Sequence, residues 1–245
     1  NFTENRYALL ITDYGGALVP TPRSLPSSNT FATTTIVTIS DDLSALTETF
    51  FSAKGEYKQM IDDVLKEKRD DQKKFIVGYF GFKQPDDFSL SREVSPVGSS
   101  AKLKMSVAKL PEFSAGNKLF IGSRLYKIWP RALPKSDNRK LDFYFPNPFE
   151  KNDTTIYKLS ASMKPDVLPT EKELKCGYAS YRSKYWYNEK EKLIYSVSKL
   201  ILKQYKIPAS DYAGVKTFFD NVMQDDSQKI VVRKTEATTT EKKAF

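Results

Sequence analysis

From residue 31 onward the chain alternates. In FATTTIVTI, Phe31, Thr33, Thr35, Val37 and Ile39 fall on one side of an extended strand, and Ala32, Thr34, Ile36 and Thr38 on the other. Asp41-Asp42 supplies a turn and the run from Leu46 to Phe51 returns, so the spacing predicts a β-hairpin. AKLKMSVAKL sets Leu103, Met105 and Val107 against Lys102, Lys104 and Ser106. NKLFIGS, RLYKIWP, KLDFYFP and TIYKLSASM follow as short strands, parted by Pro, Gly, Asn and Asp. In ASYRSKYWYNEKEKLIYSVSKLIL, Tyr181, Tyr185 and Tyr187 share one face and Arg182, Lys184 and Trp186 the other, with Leu193, Tyr195 and Val197 on the return strand.

Two stretches change period. Tyr57, Met60, Ile61, Val64 and Leu65 have helical spacing, and the pattern resumes after a charged run to carry Phe75, Ile76, Tyr79 and Phe80. This predicts one long amphipathic helix over about 55–80, with a break near Asp70 as the alternative, closed by Gly81 and Pro85. Near the end, Tyr212, Val215, Phe218, Phe219, Val222 and Met223 predict a short helix over about 210–224, with Ser210 as its cap. QDDSQ then reads as a polar turn into the strand Ile230-Val231-Val232.

The expected fold is therefore mostly β: an antiparallel, sandwich-like architecture with two helices. Residues 1–30 read as an entry segment or linker, with YALLIT as a short strand and a Gly-, Pro- and Ser-rich loop behind it. Residues 31–234 form the domain, and 100–140 is where two sub-domains would divide. Residues 235–245 are a polar tail.

Composition narrows the chemistry. Hydrophobic residues make up 40% of the 245, enough for a packed core. There is no histidine, which removes every arrangement that relies on an imidazole base or ligand. The single Cys176 admits no internal disulfide and has no histidine to activate it, so it is expected to be structural. No metal or other cofactor is expected. The formal charge of +9 is scattered rather than gathered into a stripe, which argues against nucleic acid. No apolar run approaches the length of a membrane span.

The order of elements resembles a known arrangement. A hairpin leads into GEY and a helix, many strands follow, and GYASYRSKYWYNEKEKLIYSVSKLIL precedes the ending IPASDYAGVKTFFDNVMQDDSQKIVVRK. Over residues 31–234 this is similar to the C-terminal β-rich region of bacterial transglutaminase-like proteins of the papain superfamily, which carry flanking domains of unknown function. The spacing of Pro208, Tyr212, Phe218 or Phe219, Asp225 or Asp226, and the Ile230-Val231-Val232 run carries the likeness. It implies an upstream transglutaminase-like domain as partner and a periplasmic or cell-surface location. It carries over no catalytic residue: that core needs a Cys, a His and an Asp, and Cys176 stands in the wrong part of the pattern.

Function is then expected to be non-catalytic: an accessory domain that supports a neighbouring catalytic domain or binds a protein or cell-envelope polymer. The alternative is a carbohydrate-binding β-sandwich module. Arg182, Lys184 and Trp186 are the candidate binding surface, and Trp129 beside Pro130 and Arg131 is a second aromatic position. The acidic pairs Asp41-Asp42, Asp62-Asp63, Asp86-Asp87 and Asp225-Asp226 are the residue type a carboxylate-only enzyme would use, but adjacent turn residues seldom face each other across a cleft.

Overall fold

A computed structural model describes residues 4, 6–135 and 139–235. It is mostly β, as the alternation predicts. The hairpin of β1 (Tyr7–Thr12) and β2 (Gly15–Pro20) comes first, so much of the expected entry loop is strand. Then come β3 (Thr30–Ile39) and β4 (Ala45–Ala53), the helices α1 (Glu56–Val64) and α2 (Arg69–Gly78), and β5 (Asp87–Glu93) with β6 (Ser99–Val107). The second half holds β7 (Phe113–Ala115), β8 (Lys118–Gly122), β9 (Phe143–Tyr144), β10 (Phe149–Lys158), β11 (Met163–Val167) and β12 (Lys172–Lys175). It closes with β13 (Ala179–Asn188), β14 (Leu193–Leu202), β15 (Lys206–Ile207), α3 (Tyr212–Asp226) and β16 (Lys229–Lys234). Most of the polar tail, 236–245, lies outside the described residues.

One large sheet runs β12-β13-β14-β10-β3-β4-β6-β5. Every pairing in it is antiparallel except β10 on β3. That parallel pairing stitches strands from both halves of the chain into one layer, across the place where two sub-domains would divide. A four-stranded sheet, β11-β16-β8-β7, packs over one end of the large sheet, and the three helices cover the rest of the same face. The interior holds two apolar clusters. One gathers Phe31, Phe51, Phe80, Tyr126 and Phe219 beneath the helices; the other gathers Val37, Ile121, Tyr157, Ile194 and Ile230 beneath the small sheet.

The expected 55–80 helix is two helices, and α3 is the longest of the three. Residues 66–74 contain no apolar side chain, so nothing holds that stretch against the sheet and the chain turns at Leu65–Lys68. Gln72 closes the corner by donating to the Val64 carbonyl at 3.2 Å. Gly55 has φ +60°, and a Cβ there would sit 2.3 Å from the Ser28 carbonyl, so the GEY glycine is required by both torsion and space. Asn29 caps α1 from a distance: its Oδ1 accepts from the Glu56 N–H at 3.1 Å. Ser210 does not cap α3. Asp211 holds the N-cap position without a capping bond, because its carboxylate is taken by the Tyr178 hydroxyl and the Ser210 side chain. RLYKIWP is irregular rather than a strand, and KLDFYFP keeps only the two residues of β9.

Phe80 is the hinge of the larger core. Its ring stacks on Phe51 at 4.9 Å and on Phe31 at 5.5 Å, and meets Phe75 edge-on at 5.0 Å. Phe80→Ala should cost about 3–5 kcal/mol in urea-induced unfolding. A loss below about 1 kcal/mol would show that the ring is not holding that core.

Candidate functional site

Three places carry functional groups: the open face of the large sheet, the sealed interior beneath it, and the first hairpin. The open face carries the sequence-predicted surface. Arg182, Lys184 and Trp186 do lie together on β13 and point away from both cores. The register sets Trp186 opposite Tyr195, and the two rings stack in parallel at 4.9 Å and 5°. The Lys184 ammonium lies over the Trp186 ring at 6.0 Å. The trio is thus assembled, but the indole is already engaged by its neighbours, which is the cross-strand pairing expected of such residues. Ile36, Leu46 and Phe50 are exposed on the same face, around Glu48 and its Lys102 and Lys104 partners.

The covered face behaves differently. Across its middle runs a belt of polar side chains two rows wide. One row is Tyr185, Ser196, Thr155, Thr35 and Thr49; the next is Ser183, Ser198, Asp153 and Thr33. All are buried. The Thr33 and Thr155 hydroxyls donate to the Asp153 carboxylate, and Thr35 and Thr49 share a bond at 3.0 Å. The segment after β8 crosses this belt and brings Arg124 onto it. Arg124 donates to the Tyr181 hydroxyl at 2.8 Å, the Tyr185 hydroxyl at 2.6 Å and the Asp226 carboxylate. Tyr181 in turn donates to Asp225 at 2.6 Å, and the Trp129 backbone N–H donates to Asp226 at 3.0 Å.

Asp225 and Asp226 are therefore no turn. They are the last residues of α3, fully buried, and they serve as the counter-charges of a buried arginine. Nothing in QDDSQ marks this, since the arginine lies about a hundred residues away and the same letters make an ordinary turn. Burial alone would favour loss of the Arg124 charge. Asp226, with Tyr181, Tyr185 and Asp153, more than offsets it and holds the guanidinium above its ordinary range. Asp153 is pushed up to about 7 by burial, against the pull of Arg124 and the two threonine bonds.

The other candidates stand apart. Trp129 is half-buried, stacked on Phe149 and packed on Phe219, and Arg131 reaches back to the Gly78 carbonyl. Asp62 pairs with Arg92 and Lys58, and Asp42 caps its own turn at Ser44, so these acidic pairs serve local structure. Cys176 is half-buried and packs against the larger core. Among the described residues no group of three or more His, Cys, Asp or Glu is placed to hold a metal ion, and no helix is long and apolar enough to cross a membrane.

The hairpin of β1 and β2 is the third feature. Among the described residues its strands pair with each other and with no other strand. Leu9 is 63% exposed, Ile11 80% and Leu18 72%, and Leu10 on the opposite face is 50% exposed.

Residues 117–232 match the family model of a Domain of Unknown Function, DUF3858. The stretch begins at β8, ends in β16, and contains Arg124, Asp153, Tyr181, Tyr185, Asp225 and Asp226. Among solved structures, the chain is similar to a putative protease from Parabacteroides distasonis at 14% identity and a TM-score of 0.36. That likeness covers 41% of this chain and 19% of the other. A search of the curated proteins gives no match.

Two outcomes follow from the interior. Arg124→Met should cost about 3–5 kcal/mol, because it strands two buried carboxylates; a change within about 0.5 kcal/mol in urea unfolding would contradict the pairing. The raised Asp153 value means the folded state keeps a proton that the unfolded chain gives up near pH 4. The stability this group contributes is fully present below about pH 4 and is lost as pH rises through about 7. Asp153→Asn should remove that fall, so the variant gains on the wild type as pH rises from about 4 to about 7, and the gain levels off above that. Parallel pH profiles would show that Asp153 does not titrate there.

Proposed function

We propose that this chain is a non-catalytic accessory domain of a secreted, transglutaminase-like protein of the periplasm or cell surface, built to dock against a neighbouring catalytic domain or another protein or cell-envelope partner. The observation that carries the reading is the first hairpin. A two-stranded ribbon is marginal in water by itself, and this one turns Leu9, Leu10, Ile11 and Leu18 to solvent on both faces. Apolar surface of that kind gains free energy when a second surface covers it. The exposed side chains of Ile36, Leu46 and Phe50 offer further contacts on the open sheet.

The chemistry of the chain supports the same reading. The charged groups with the most perturbed surroundings, Arg124, Asp153 and Asp226, are sealed beneath the sheet where no substrate reaches them. With no histidine in the chain, a proton carrier poised near neutrality would have to be built from another group beside a nucleophile. A carbohydrate module is supported less well: sugar stacking needs an open aromatic face, and the Trp186 ring is already stacked on Tyr195 with the Lys184 ammonium 6.0 Å away.

Amide hydrogen exchange over residues 7–20 tests the docking reading. It compares this chain alone with the protein purified from its source together with whatever it is joined or bound to. Exchange at Leu9–Ile11 should slow strongly in the second sample; equal rates would remove the hairpin from any interface. The purified chain should also turn over no peptide, transglutaminase or glycoside substrate. Turnover that one substitution in this chain abolishes would overturn the non-catalytic reading.

A further inference from the structure

A cavity of about 240 Å³ lies between α1, the residues after α2 and the start of β10. That equals the liquid volume of about eight waters. Tyr57, Met60, Trp129, Phe145 and Phe149 form an apolar part of its wall. Lys151 is the basic side chain on that wall, and it is only 7% exposed. Its ammonium lies 5.4 Å from the Trp129 ring, 5.6 Å from Tyr57 and 5.7 Å from Phe149. All three rings line the cavity, so Nζ sits where they converge.

This lysine is under-satisfied. An ammonium has three donors, and here one of them reaches the Ile128 carbonyl at 3.3 Å. The other strongly buried cation, Arg124, has two carboxylates within ion-pair distance. No carboxylate of the described residues pairs with Lys151; the aromatic faces are its remaining company. Asp226 acts on it only at longer range, and burial brings its pKa down to about 8. The exposed Glu56 also borders the cavity, but from the rim, where water screens it.

We propose that this cavity binds a small, single-ring or branched apolar carboxylate, its anion on the Lys151 ammonium and its body between Trp129, Phe149 and Tyr57. A monoanion matches a single lysine without an arginine fork. The size admits one ring rather than a drug-sized molecule. The anion supplies the partner that Lys151 lacks, and the apolar body replaces water against the rings.

Benzoate is the probe and benzamide its uncharged isostere. Each is titrated into the whole chain and followed by Trp129 indole shifts in NMR spectra. Benzoate should bind at least about tenfold more tightly than benzamide, a difference of about 1.4 kcal/mol. Lys151→Met should erase that preference while leaving benzamide affinity in place, and Phe149→Leu, which keeps the Trp129 reporter, should weaken both. Equal affinity of the two probes, no saturable shift of Trp129, or a benzoate preference that survives in Lys151→Met would overturn the proposal. Should Lys151→Met fail to fold, the comparison of the two probes on the unaltered protein decides.

Discussion

The interior is organised around one charged side chain. Arg124 lies fully buried between the sheet and the end of α3, and three parts of the chain meet on it. The crossing segment supplies the guanidinium, β13 the two tyrosine hydroxyls, and α3 the two carboxylates. A guanidinium that loses water must recover its interactions from protein groups, or it carries a penalty of several kcal/mol. That requirement fixes where α3 ends and how the segment from Ser123 to Trp129 threads across the sheet. The Trp129 N–H on Asp226 and the Lys151 ammonium on the Ile128 carbonyl extend the same constraint to the rim of the cavity.

The polar belt also divides the interior. Above it, aromatic rings from β3, β4 and the helices pack on one another; below it, aliphatic side chains from the small sheet do so. Leu125, next to the arginine, packs against both clusters. A chain of this length thus covers one face of an eight-stranded sheet with two different materials, joined along a polar seam in which Thr33, Thr35, Thr49, Asp153, Thr155 and Tyr185 are hydrogen-bonded. The opposite face and the first hairpin stay outside this packing. These are the surfaces on which the docking reading rests.

Much of the β architecture was legible because strand periodicity survives even where the inward residues are polar. Thr33 and Thr35 share a face with Phe31 and Val37, and they are buried as that spacing requires. Tyr181 and Tyr185 face inward and Arg182, Lys184 and Trp186 outward, again by parity alone. Parity did not reveal that buried Ser196 and Ser198 take the inner face of β14, leaving Tyr195 and Val197 half-buried on the outer one. The 55–80 stretch failed as one helix because its apolar period is interrupted by nine polar residues, a gap that periodicity bridges and packing does not. Arg124, Asp225 and Asp226 were illegible for a simpler reason. A charged residue in a short polar context reads as solvated unless its distant partners are known, and these partners meet only through the tertiary fold.

The central claim is that the Arg124 seam makes the two cores one cooperative unit. Native-state amide exchange in rising denaturant measures this directly, by comparing the opening free energies of α3 amides at Phe219 and Val222 with those of β16 at Ile230 and Val232. Equal values, converging on the free energy of global unfolding, are the expected result. A small sheet that opens at a clearly lower free energy while α3 stays protected would contradict it.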